Sequence, residues 1–134
     1  VAGYSGTPLA AKLGIKPGMT MRVVHAPKEY RELLAPLPDG ARIASGSRGG
    51  ADIVHHFAKE KAELASALRS YRRRLDGNTP VWVSWPKKSA RVNTDITEDT
   101  IRALALPLGF VDIKVCAVSE TWSGLKLVVR RDRR

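Results

Sequence analysis

The stretch that decides the fold is Asp52–Trp85, DIVHHFAKEKAELASALRSYRRRLDGNTPVWVSW. Its first six residues, Asp52–Phe57 (DIVHHF), have branched Ile53 and Val54 at their start and are bounded by the Gly49-Gly50 pair, which predicts a strand. From Lys59 to Leu75, Leu64, Leu68, Tyr71 and Leu75 recur at helical spacing while Arg69, Arg72 and Arg73 occupy another face. This predicts the longest helix of the chain, ended by Asp76-Gly77-Asn78. Pro80–Trp85 (PVWVSW) is then apolar almost throughout, as a strand buried on both sheet faces must be. Strand, long helix and buried strand in succession predict a parallel pair with a helical crossover.

Toward the N-terminus, Thr7-Pro8 predicts a helix start with Thr7 as N-cap, and Gly14 predicts its end. Met19–Ala26 (MTMRVVHA) is a strand stopped by Pro27, Lys28–Leu34 a short helix, and Ala41–Ala44 a weak strand before the Ser45–Gly50 loop. Only about seven residues separate that weak strand near Ile43 from Ile53, fewer than a parallel crossover normally needs, so it is expected to be short, antiparallel or absent. Toward the C-terminus, a polar stretch, Pro86–Asp95, leads to Thr97-Glu98-Asp99, a capping hydroxyl followed by two acids at a helix N-terminus. Ile101, Leu104 and Leu108 mark that helix's buried side. Two strands follow, Phe110–Val118 and Leu125–Arg130, joined through Ser119–Gly124 as a hairpin with Trp122 at its tip.

Alternating strands and helices closed by a hairpin define an α/β fold: a three-layer Rossmann-like domain with a mostly parallel sheet and a C-terminal antiparallel hairpin supplying an edge strand. The last half has the element order of the C-terminal half of S-adenosylmethionine-dependent methyltransferases, so the expected fold is a degenerate methyltransferase-like one. At 134 residues and 14.7 kDa the chain suits one domain spanning residues 1–134. No apolar run is long enough to span a membrane, the first residues are too polar for a secretory signal, and Cys116 is the single cysteine. A soluble, cytoplasmic protein without a disulfide is the expectation; the oligomeric state cannot be read from the sequence.

With 23 Lys and Arg against 13 Asp and Glu, the formal net charge is +10, which favours anionic partners without naming one. A glycine-rich turn after the first strand and an acid after the second would mark a dinucleotide or methyl-donor site. The corresponding residues are His25-Ala26-Pro27-Lys28-Glu29-Tyr30 and Ala44-Ser45-Gly46-Ser47-Arg48, which supply neither. No cofactor is therefore expected, and the balance is against an enzyme. Ligands of open parallel sheets bind beyond the carboxyl ends of the strands, where His25, Pro27, Phe57, Ala58, Trp85, Pro86 and Lys87 should converge. The expected ligand-binding residues are Trp85, Lys87, Lys88, Ser89, Arg91, His25 and Trp122: cationic and hydroxyl donors for an anion, with indole walls. His55 and His56, adjacent on a strand, point to opposite faces and cannot share one ion, so no metal site is expected.

The segments Gly3-Tyr4-Ser5-Gly6-Thr7-Pro8-Leu9, Leu13-Gly14-Ile15-Lys16-Pro17-Gly18, Val83-Ser84-Trp85-Pro86-Lys87-Lys88 and Val115–Lys126 (VCAVSETWSGLK) resemble those of a small bacterial family classed as a domain of unknown function. The resemblance implies a bacterial, cytoplasmic, stand-alone domain and carries over no catalytic residue. From the strand-end residues, the charge and the element order, three functions are expected in order: a non-catalytic domain binding a small anionic ligand or a protein partner at the strand ends; a nucleic-acid-binding accessory protein using Arg69, Arg72, Arg73 and Arg74; and a methyltransferase-like enzyme.

Overall fold

In the computed structural model, which describes residues 7–46 and 48–134, the elements run α1 (Leu9–Leu13), β1 (Thr20–Val24), α2 (Tyr30–Leu34), β2 (Arg42–Ser45), β3 (Ile53–Phe57), α3 (Lys61–Arg74), β4 (Val81–Pro86), α4 (Glu98–Ala105), β5 (Phe110–Ala117) and β6 (Trp122–Val129). Residues 3–6 of the first resemblance segment, and Ser47 of the Ser45–Gly50 loop, lie outside the described residues. The strands form one sheet in the order β2-β1-β3-β4-β6-β5, the first four parallel and β6 antiparallel to both neighbours. The fold is α/β with a mixed sheet, as the pattern predicted.

Alternation along the strands sorts the core into two layers. Met21, Val23, Ile53, Phe57, Trp82 and Trp122 face α1 and α2, whereas Val54, Val81, Val83, Trp85, Leu125 and Leu127 face α3 and α4. β4 is buried at every residue because it lies between β3 and β6 with helices over both faces. Trp82 ties the first layer together: fully buried, it donates its indole N–H to the Leu13 carbonyl at 3.0 Å, anchoring the end of α1. A Cβ at Gly124 on β6 would meet Val118 at 3.0 Å and the Trp82 ring at 3.3 Å, so a side chain there needs both neighbours to give by a few tenths of an ångström. α4 begins as its sequence predicts, with a reciprocal capping box between Thr97 and Thr100, an arrangement typically worth about 1 kcal/mol.

Two local expectations are corrected. Pro8, not Thr7, occupies the N-cap position of α1, and no side chain caps that helix. The hairpin supplies the antiparallel edge strand as expected, with β6 beside β4 and β5 outermost. Hairpin pairing extends further than its composition suggests, so Trp122 opens β6 opposite Pro86 instead of standing at the tip. The reason is burial, since Trp122 packs edge-on against Phe57 with ring centroids 5.0 Å apart.

The weak strand is present and parallel, and the short crossover has a physical solution. β2 and β3 pair with opposite sides of β1, so the connection between them crosses β1, with no helix among its described residues. Arg22, midway along β1, holds the crossing by donating to the Ser45 carbonyl at 3.0 Å and the Gly50 carbonyl at 3.3 Å. Gly49 adopts φ +105°, and a Cβ there would lie 2.5 Å from the Arg22 guanidinium. Where a helix in this connection would cover the α3-side face of β1, the space beside α3 stays open.

Candidate functional site

The chain leaves β1 toward β2 on one side and returns to β3 on the other. At such a reversal the loops beyond the two carboxyl ends diverge and leave a crevice. A cavity of about 550 Å³ lies there. Its walls are His25, Ala26 and Pro27 from the turn after β1, Phe57 from the end of β3, Lys59 and Glu60 just before α3, Glu63 from its first turn, Trp122 from β6, and Asn93. The loop carrying Asn93 is fastened to α3: Asp95 accepts from the Lys61 backbone N–H at 2.6 Å, and Thr94 donates to the Lys59 carbonyl at 2.6 Å. Asp95 thereby caps a helix whose own N-cap residue, Glu60, makes no side-chain cap bond. A second cavity, about 420 Å³, opens on the α3 side between Val24, His56, Ser66, Ser70, Tyr71 and Arg74. His25 and Glu63 line both cavities.

The wall between them is a hydrogen-bonded chain. Tyr71 Oη lies 2.6 Å from His56 Nδ1, and His56 Nε2 lies 3.0 Å from both oxygens of Glu63. His25 Nδ1 approaches Glu63 Oε2 at 4.0 Å, and its ring meets that of His56 edge-on with centroids 5.5 Å apart. Exposure grades along this chain: the His56 side chain is 1% exposed, Glu63 35% and His25 60%. Burial lowers the His56 pKa, against the opposing pull of the Glu63 carboxylate. Burial raises the Tyr71 hydroxyl well above its ordinary range, so it stays protonated and can donate to or accept from Nδ1 according to the imidazole tautomer. His25 adopts φ +58°, a left-handed conformation uncommon outside glycine, in the first residue after β1.

On the opposite face of β3, His55 sits in a closed counterpart of this chain. Tyr30 Oη lies 2.7 Å from His55 Nδ1 and Ser84 Oγ lies 2.7 Å from Nε2, so both ring nitrogens are partnered inside the core. The ring also stacks on Phe57 with centroids 4.3 Å apart. Burial drives its pKa down to about 3, keeping the imidazole neutral. Although Ser84 and His55 form a hydroxyl–imidazole pair, neither is exposed and no substrate could reach them.

The expected ligand residues divide. His25 and Trp122 line the first cavity, together with Pro27 and Phe57. Trp85 faces the other way, into the α3–α4 core, with 8% exposure. Its position on β4 puts it on the face with Val81 and Val83, which removes it as an indole wall. Lys88 and Ser89 are exposed in a single 3-10 turn, Lys88–Ala90, and Arg91 follows in a left-handed conformation with φ +55°. Lys87 is half-buried and its backbone N–H donates to the Thr121 carbonyl at 2.8 Å, beside Trp122; none of these four lines either cavity. Of the arginines on α3, Arg72 is bound to the Leu108 and Arg133 carbonyls and Arg74 lies over the Tyr71 ring, while Arg69 and Arg73 are exposed. Sequence reading missed Glu63, Lys59 and Asn93, whose spacing from His25 carries no local signal.

No family model matches the sequence, and no curated protein sequence is similar to it. Solved structures do resemble it in shape. A protein from Bordetella parapertussis superposes with a TM-score of 0.60 at 11% identity, over 90% of this chain and 65% of that one. The Bacillus subtilis M1A22 tRNA methyltransferase TrmK gives 0.59 at 13% identity, over 95% and 67%, and an S-adenosylmethionine-dependent methyltransferase from Aquifex aeolicus gives 0.61 at 11% identity, over 91% and 88%. The fold is methyltransferase-like. The chain spans about two thirds of the length of the first two proteins. At these identities the likeness concerns architecture alone.

Such a scaffold implies S-adenosylmethionine, and the residues at the crevice do not fit its usual mode of binding. Where a glycine-rich turn would bring bare backbone amides to the ligand, this chain has His25, with its imidazole over the crevice, and then Pro27, which has no N–H to offer. β2 ends in Ala44 and Ser45, without a carboxylate for ribose hydroxyls.

Proposed function

We propose that this chain is a ligand-binding domain on a methyltransferase-like scaffold, holding a small anionic molecule in the crevice beyond β1 and β3. The observation that carries the reading is the cavity of about 550 Å³ at the point where the strand order reverses, a volume typical of small-molecule sites. Phe57, Pro27 and Trp122 give it an apolar wall, and Lys59, His25 and Asn93 give it polar groups able to donate to an anion. Glu60 and Glu63 share that lining, and Lys87 and Lys88 follow the Pro86–Trp122 pair outside it.

A thermal-shift screen of nucleotides, acidic metabolites, S-adenosylmethionine and a short oligonucleotide at two salt concentrations tests it, because a ligand bound only by the native state raises the melting temperature. The expected outcome is a salt-tolerant shift from one small anion that disappears in Lys59→Ala and weakens in a Lys87→Ala, Lys88→Ala double variant. A shift from the oligonucleotide alone, lost at high salt, overturns it in favour of a basic-surface protein.

A second reading, a methyltransferase-like enzyme, draws support from the solved structures of that class. It requires S-adenosylmethionine to bind without a glycine-rich turn, so a shift from that compound in the same screen would favour it and silence at millimolar concentration would remove it.

A further inference from the structure

We propose that His25, His56 and Glu63 form a binding site for a divalent transition-metal ion, with zinc the ion their chemistry suits best. One donor atom from each residue lies within 4.8 Å of the other two. Two imidazoles and one carboxylate are a common protein donor set for zinc, and they leave at least one coordination position open. With metal–ligand bonds of about 2.0–2.2 Å, tetrahedral donors stand about 3.3 Å apart. Two of the separations, 3.0 Å from His56 Nε2 to Glu63 and 4.0 Å from His25 Nδ1 to Glu63, bracket that value, and the third, between the two imidazoles, is within 4.8 Å. Closing the set needs only a small swing of His25, the most exposed of the three.

Independent features of the fold support the same assignment. Tyr71 Oη lies 2.6 Å from His56 Nδ1, placed to accept the Nδ1–H of the tautomer whose Nε2 is free to ligate, the outer hydrogen bond that fixes a ligating imidazole. The left-handed turn at His25 costs backbone energy in a residue with a Cβ, and such outliers concentrate where a side chain must be aimed. His25 and Glu63 line both cavities, so a ligand or water could reach the open position. The other charged groups around the site are Lys59 and Glu60 in one cavity and Arg74 in the other. The three ligands come from the turn after β1, from β3 and from the first turn of α3, which is why no metal motif shows in the sequence.

The test is titration of the untagged, chelator-stripped full chain with Co²⁺, read by its visible ligand-field absorption, followed by displacement with Zn²⁺. The expected result is one Co²⁺ per chain, displaced by Zn²⁺, with affinity lowered at least tenfold in His25→Ala and in Glu63→Gln and unchanged in Cys116→Ser. Circular dichroism of His25→Ala, at an exposed position, establishes that any loss is not unfolding. Absence of saturable binding below millimolar metal, or binding that both site variants retain, overturns the proposal. No small molecule takes part in this experiment, so its failure would leave the crevice reading standing, and an empty ligand screen would leave the metal site standing.

Discussion

His55 and His56 are neighbours on one strand, of one chemical type and almost equally buried, yet they belong to opposite kinds of structure. His55 lies between Tyr30 and Ser84 with both nitrogens partnered inside the core, on the face sealed by α1 and α2. His56 lies between Tyr71 and Glu63, and its chain runs outward to the exposed His25 and to two cavities. The face of the sheet decides which is which. On the α3 side the β2–β3 connection, held by Arg22, carries no helix among its described residues, and a cavity lined by Val24, His56 and Arg74 opens beside α3. A polar network enclosed on all sides adds cohesion to the core, while one that ends in half-exposed groups leaves donor atoms available to a ligand.

The sharpest way to break this comparison is to remove the sealed histidine. His55→Ala empties a core position and leaves Tyr30 and Ser84 without their partner, for an expected loss of about 3–5 kcal/mol in denaturant unfolding. A loss below about 1 kcal/mol would mean that the network contributes little cohesion. Acid titration sharpens it next. His55 stays neutral in the native state down to about pH 3 but takes up a proton near 6.5 when unfolded. As pH falls below 6.5 the unfolded state therefore binds a proton that the native state does not. Stability falls with it, by about 1.4 kcal/mol per unit, until the native group titrates too. His56, also lowered, adds to the slope. Measured between about pH 6.5 and 4.5, above most carboxylates, His55→Asn should remove about one proton's worth of that slope; an unchanged slope would contradict a neutral buried His55.

At the open end the expected effects on stability are small. Glu63→Gln keeps an acceptor for His56 on a side chain 35% exposed, so a change within about 1 kcal/mol is expected beside the loss of metal affinity. The least is expected of His25→Gly: it relieves the left-handed backbone and loses a largely exposed ring, for a change between zero and about 1 kcal/mol of stabilisation. Destabilisation beyond about 1 kcal/mol would show that His25 is a packing residue instead of a ligand-facing one.

Much of the architecture was legible because hydrophobic periodicity is a local property. The spacing of Leu64, Leu68 and Tyr71, the apolar run Val81–Trp85 and the Thr97 cap each specify an element within a few residues. Legibility failed where pairing overrides composition. Ala41–Ala44 has no pattern of its own, and β2 exists because Thr20–Val23 on β1 offers it a partner. Trp122 sits in polar surroundings in the sequence but is drawn into a strand by Phe57 and the sheet. The crevice was half legible: a strand end is a local feature, so His25, Pro27 and Phe57 could be named, whereas Trp85 went to the wrong wall because a run buried on both faces does not tell one face from the other.

By itself the sequence determined the alternation of strands and helices, the buried central strand, the positive charge and the want of a glycine-rich turn after the first strand, since all of these are set by neighbouring residues. Tertiary structure alone decided that β6 inserts beside β4, that the β2–β3 connection crosses β1, and that His25 meets His56 and Glu63. Those outcomes depend on contacts between residues distant in the chain, and what sets them is the burial and pairing of whole elements, to which local propensity contributes little.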